Sequence, residues 1–228
     1  MKQSKSISIP YAVFGSVYCV LLLLDTLLEV KIVELFGLQV TLGTAVIALV
    51  YVCSDCLVEV YGFNRARIIM WVGFFILFLS SVILKASCYV PSIEGWEGNE
   101  HFNYIYNLSP RVAIACLFAY LFGSYTNNYV MSKLKVMFKG KYFKTRAMVS
   151  TIAGESIDAV IGTFGIFFGL LPLSSVISIT ISMAVLKCCI EACILPITSQ
   201  IVKKLSKEKE IYGSDKDAKY TIFGYILQ

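Results

Sequence analysis

Six apolar runs of about twenty residues, separated by short polar segments, constrain this chain more than any other feature. Hydrocarbon offers no partner to a backbone N–H or C=O, so a run long enough to cross a layer about 30 Å thick must pair its own backbone as a helix. The runs are expected at about 11–30, 38–61, 67–89, 111–131, 147–171 and 175–202. Together they describe an all-α integral membrane protein, a six-transmembrane-helix bundle forming a single transmembrane domain over residues 1–228. Charged residues make up 15% of the chain, against about 25% in a soluble globular protein. The first run is too long for a signal peptide, contains Asp25 and lacks a small-residue cleavage site, so it is expected to be retained.

The basic residues fall in alternate connecting segments. Lys2 and Lys5 precede the first run; Arg65 and Arg67 follow the second. Lys133, Lys135, Lys139, Lys141, Lys144 and Arg146 follow the fourth, and Lys203, Lys204, Lys207 and Lys209 follow the sixth. Those segments share one side if there are six spans. The other segments hold only Lys31, Lys85 and Arg111, so the positive-inside rule places both termini in the cytoplasm. The net charge of +5 thus sits in loops as a topology signal, with no basic stripe interleaved with aromatics, and nucleic acid is not an expected partner. Seven of the eight cysteines lie inside apolar runs and give no disulfide framework. Cys53-x-x-Cys56 lacks a second pair or a nearby histidine, so it reads as packing and not as a metal site. No cofactor is expected. No phosphate-binding loop or nucleophile triad occurs, which argues against an enzyme.

Ionisable residues inside the runs carry the chemistry. Asp55 and Glu59 lie four apart in the second run, Glu155 and Asp158 three apart in the fifth, and Lys187 and Glu191 four apart in the sixth. Each spacing puts both members on one helix face. Charge inside a membrane is costly, so these faces are expected to turn inward and converge around one buried polar cavity. Lys187 pairs either with Glu191 or with the acids of the second and fifth runs. A substrate or ion pathway explains the set; the competing explanation is an ion network that only orients helices. Gly165-x-x-x-Gly169, with Gly154 and Gly162, permits close helix packing, within the chain or in a homodimer. Pro196 is expected to kink the last helix.

Asp55-x-x-x-Glu59-Val60-Tyr61-Gly62, followed by Arg65-Ala66-Arg67, resembles the signature of the queuosine precursor transporters, of the vitamin-uptake group of bacterial inner-membrane proteins. The resemblance continues through Ser109-Pro110-Arg111, Ala119-Tyr120, Ser150-Thr151 with Asp158, and Lys187 with Glu191 and Pro196. It covers nearly the whole chain after residue 30. Three positions depart from the pattern: Asp25-Thr26 stands for a Ser-Asn pair, Gly123-Ser124 for Gly-Gln, and Glu155 for a frequent Gln.

The resemblance implies multi-pass import across the bacterial cytoplasmic membrane of 7-deazaguanine bases: 7-cyano-7-deazaguanine, its aminomethyl relative or queuine. A deazaguanine offers a ring N–H beside an exocyclic amino group, two donors that one buried carboxylate accepts together. Asp158, deeper than Glu155, is the expected recognition acid, with Gly154 leaving room for the flat ring. Competing readings are a binding subunit for another vitamin working with an ATP-driven module, and a structural membrane protein.

Overall fold

The computed structural model describes residues 8–28, 31–35, 38–106, 110–205 and, beyond them, Asp215, Ala218, Tyr220 and Thr221. Lys2, Lys5, Glu29, Ser109, Lys207 and Lys209 lie outside the described residues. The helices are α1 (Ile9–Leu28), α2 (Gly43–Tyr61), α3 (Phe63–Ser87), α4 (Gly98–Tyr106), α5 (Pro110–Met137), α6 (Phe143–Phe167) and α7 (Leu173–Lys204). Five of them, α1, α2, α3, α6 and α7, are long and apolar enough to cross a membrane. α5 has 28 residues, about 42 Å at ~1.5 Å per residue, but carries Ser124, Asn127, Asn128 and Ser132, all buried.

The second run is not helical from Leu38, as the apolar pattern implies. β1 (Ile32–Leu35) and β2 (Leu38–Thr41) pair antiparallel, with Ile32 opposite Thr41 and Leu35 opposite Leu38. β-Branched Ile32, Val33, Val40 and Thr41 favour extended backbone, so α2 begins only at Gly43 and the fold is helical with a two-stranded sheet. Other helices outrun their apolar cores. Lys133 and Lys135 belong to α5, Lys144 and Arg146 to α6, and Arg65 and Arg67 to α3, all expected in loops. Lysine and arginine are good helix formers, and nothing stops a helix where the hydrocarbon ends. Gly62 alone separates α2 from α3, at φ 84°, a left-handed value that suits glycine. Pro196 lies within α7, whose helix continues past it to Lys204.

α2 is the central helix. From Val50 to Tyr61 every side chain except Cys53 is buried, and α2 packs against α1, α3, α5 and α7. The surrounding helices turn large apolar side chains outward, among them Val13, Phe75, Ile152 and Ile181. Such faces suit lipid. α5 and α6 approach most closely, through glycines: a Cβ on Gly165 would lie 2.6 Å from Ala115 Cβ, and one on Gly162 3.5 Å from Ala119 Cβ. These glycines therefore serve a contact within the chain.

One end of the bundle collects the basic side chains. Tyr11 donates to Arg65 O at 3.1 Å, and Lys135 donates to Val58 O and Glu59 O at 3.2 and 2.9 Å. The start of α1, the end of α2, the start of α3 and the end of α5 thus meet there, as alternating helix directions require. Lys135 satisfies the Glu59 carbonyl that α2 leaves open at its carboxy-terminal end and adds a second donor to Val58 O, which already accepts from Gly62 N.

Candidate functional site

Asp55 and Glu59 share one face of α2 and are buried. Glu59 Oε2 accepts from an Arg146 guanidinium nitrogen at 2.7 Å, an ion pair with both side chains out of solvent. Arg146 also donates to Lys141 O at 2.8 Å and Gly140 O at 3.3 Å. As a basic residue beside a loop, Arg146 is expected to mark topology only. Because α6 starts at Phe143, it lies on the inward face of the first helical turn and neutralises Glu59 instead.

Four residues earlier on α2, Asp55 Oδ1 accepts from Asn127 Nδ2 of α5 at 3.1 Å. Ser150 Oγ of α6 lies 3.5 Å from the same oxygen while donating to Ala147 O at 2.8 Å. The next α6 residue, Thr151, donates its hydroxyl to Glu191 Oε1 of α7 at 2.5 Å. Adjacent residues of one helix thereby hold two carboxyl groups side by side, and the Glu191 carboxyl is within hydrogen-bonding reach of Asp55. Asp55 Oδ2 and Glu191 Oε2 have no donor among the described residues.

Lys187 lies one turn from Glu191 on α7 and turns to α6: its Nζ is 2.6 Å from Asp158 Oδ2 and 3.1 Å from Glu155 Oε2. Of the two pairings open to it, the structure takes the one across helices. The two acids differ in access, with 14% of the Asp158 side chain exposed against 1% for Glu155. Glu155 Oε1 has no donor among the described residues, and neither does the buried Tyr51 hydroxyl. Of the six expected site residues, Asp55 and Glu191 are held together between α2, α6 and α7, Lys187 bridges Glu155 and Asp158 one turn along α6 and α7, and Glu59 is engaged by Arg146.

The space over Gly154 is not open to a flat ligand. A Cβ there would lie 2.9 Å from Asn127 Cβ, from Gly123 O and from the Tyr51 ring. Gly154 and Gly123 let α5 and α6 touch backbone to backbone, which a helix pair with larger residues cannot do. Asn127, Thr151, Tyr51 and Arg146 were not legible as site groups from paired acids alone. The available signal was the Asn127-Asn128 doublet, since buried amides in a spanning helix need partners as carboxylates do. Asn128 meets that need in part: its Oδ1 accepts from Ser54 Oγ at 2.7 Å, while its Nδ2 has no partner among the described residues.

At the basic end, Asp215 completes the α2–α3 junction. Its Oδ1 accepts from Phe63 N at 3.0 Å, and its Oδ2 is 3.5 Å from Lys135 Nζ. α3 has no acid in its first turn, so Asp215 supplies the negative partner its amino-terminal end favours. Tyr220 packs on Phe63 and Tyr129 with Lys133 Nζ 4.2 Å from its ring centroid. Burial pushes the Tyr220 hydroxyl above its usual pKa.

The chain is similar in sequence to known proteins. A family model described as "Putative vitamin uptake transporter" matches residues 41–201. That span includes α2 to nearly the end of α7 and every residue of the polar network. A Bacillus subtilis (strain 168) protein named "Probable queuosine precursor transporter" is 29% identical over 168 residues, 73% of each chain. No solved structure matches the chain.

Proposed function

The chain belongs to the vitamin uptake transporter family, and we propose that it imports queuosine precursors, 7-deazaguanine bases such as 7-cyano-7-deazaguanine, its aminomethyl relative or queuine. It is a multi-pass protein of the bacterial cytoplasmic membrane. The name of the Bacillus subtilis relative supports the cargo class, and the network supports it chemically. Asp55, Glu59, Glu155, Asp158, Lys187 and Glu191 form the substrate-binding network, with Asp158 as the recognition acid.

The observation that carries the reading is the Lys187 ammonium held between Glu155 and Asp158. Asp158 is the more accessible acid, so a ligand reaches it first. An incoming deazaguanine presents its ring N–H and amino group to Asp158, and Lys187 keeps Glu155 as its counter-charge. The exchange replaces one charge-assisted hydrogen bond by two and leaves no buried charge alone. An analogue without the paired donors would strip Lys187 from Asp158 and offer nothing back, which is the basis of selectivity. The buried Tyr51 hydroxyl, which no donor or acceptor among the described residues serves, offers a further polar partner for the ligand's edge.

The test is binding by the purified full chain to a panel of deazaguanines and their analogues lacking the exocyclic amine. Losing a hydrogen bond to a charged group costs about 1.5–3 kcal/mol, so Asp158→Asn should weaken binding roughly 10- to 150-fold. Affinity in the variant within about threefold of the unsubstituted chain, well short of that estimate, would remove Asp158 from the role. Failure of every deazaguanine to bind, with an ATPase co-purifying, would favour a vitamin-binding subunit.

A further inference from the structure

We propose that within this network Asp55 and Glu191 also form a proton site that couples import to the proton gradient, while Asp158 reads the cargo. The proposal rests on the import reading above and adds its energy source. Asp55 is held by Asn127 at 3.1 Å, and Glu191 by Thr151 at 2.5 Å. Each is thereby left with one buried oxygen, Asp55 Oδ2 and Glu191 Oε2, that no donor among the described residues serves. The two carboxyls are within hydrogen-bonding reach of each other. Two ionised carboxylates in that position repel, with little water to screen them. One proton between them turns the repulsion into a hydrogen bond and satisfies an oxygen that otherwise has no partner.

The surrounding groups leave this pair the place for the proton. Around it stand Glu59 and Cys56 from α2, Arg146 and Glu155 from α6, and Cys188 and Lys187 from α7. α5 contributes the uncharged Asn127. α1 sets Tyr18 beside Cys53, about 200° around α2 from Asp55 at ~100° per residue, and α3 directs Arg67 to Asn64 and Thr221 at the end of the bundle. Of the nearby cations, Arg146 is committed to Glu59 at 2.7 Å, and Lys187 to Asp158 and Glu155 at 2.6 and 3.1 Å. Both cations are thus engaged with other acids, and a proton shared between Asp55 and Glu191 removes the repulsion that remains between them.

The coupling route runs through α6 and α7. Glu191 and Lys187 are one turn apart on α7, and Thr151 and Glu155 one turn apart on α6. When cargo draws Lys187 away from Asp158, the same two helices carry the change to the proton pair. The proton enters from the outer side onto the Asp55–Glu191 pair, crosses with the cargo and leaves to cytoplasmic water. The pair is then ionised until it is reloaded from outside.

The experiment reconstitutes the full chain in sealed vesicles with tritium-labelled 7-cyano-7-deazaguanine and an internal pH dye. Exchange of labelled for unlabelled cargo, which needs no net proton movement, tests the cargo assignment. A one-unit pH gradient, acid outside, should raise steady-state accumulation about tenfold if one proton accompanies each molecule. Downhill cargo entry without a gradient should acidify the vesicle interior. Asp55→Asn and Glu191→Gln should each lower the ratio of accumulation with and without the gradient to about one, against about ten in the unsubstituted chain. Exchange by the unsubstituted chain with no response to the gradient and no acidification overturns proton coupling while leaving the cargo assignment intact. A response to a sodium gradient in its place, or a full pH response in Asp55→Asn, also overturns the proposal. Absence of exchange overturns the cargo assignment and, with it, coupling to this cargo. The dye measurement on the unsubstituted chain decides the matter if either variant fails to fold.

Discussion

Arg146 shows what a single residue decides here. Its charge is the kind that reports membrane sidedness, yet its side chain is buried against Glu59 at 2.7 Å. Removing one partner of a buried pair strands the other charge, at a cost of about 3–5 kcal/mol, whereas removing both is often close to neutral. Arg146→Met alone should therefore sharply reduce the fraction of chain that elutes as a single folded species in detergent. The double variant with Glu59→Met should recover most of it. Equal losses in the single and the double variant would mean that the pair is not what holds α2 to α6. The acids themselves were legible in the sequence, because an intramembrane carboxylate stands out wherever it falls. Their partners were less so. Which of Glu155, Asp158 and Glu191 takes Lys187 depends on the rotation of α7 against α6, and spacing along one helix carries no information about that.

At the scale of elements, the α5–α6 contact depends on absent side chains. Gly165 faces Ala115, and a Cβ at Gly165 would stand 2.6 Å from Ala115 Cβ. Gly165→Ala should separate the helices and destabilise the protein by about 1–3 kcal/mol, the usual range for overpacking. Adding Ala115→Gly should restore the lost stability, read as the midpoint of thermal unfolding monitored by a buried-cysteine probe. Failure of the second change to restore it would place the strain elsewhere. The helices were legible as apolar runs, but their ends were not. A span of α5 that bears Asn127 and Asn128 looks weakly apolar, and Leu38–Thr41 reads as the start of a helix until its pairing with Ile32–Leu35 is seen. Period alone does not separate a short apolar strand from the first turn of an apolar helix.

For the whole molecule, we propose that α5 is a sixth span and that both termini lie in the cytoplasm. α5 is long enough, and its polar residues are buried within the bundle, where they do not oppose lipid. A cysteine introduced at Lys139 or Lys141 in a background lacking exposed Cys189 and Cys193 should resist a membrane-impermeant thiol reagent in intact cells and react after lysis. Labelling of that segment from outside would invert the orientation, and labelling of both ends of α5 from one side would remove it as a span. The central claim, that the buried network serves import of a 7-deazaguanine, is tested most directly by uptake. Labelled 7-cyano-7-deazaguanine is offered to bacterial cells that cannot make it and carry no importer of their own, with and without this chain. The account predicts saturable uptake that requires the chain and is lost with Lys187→Met in protein shown to be inserted. Uptake no greater than in cells without the chain would contradict it.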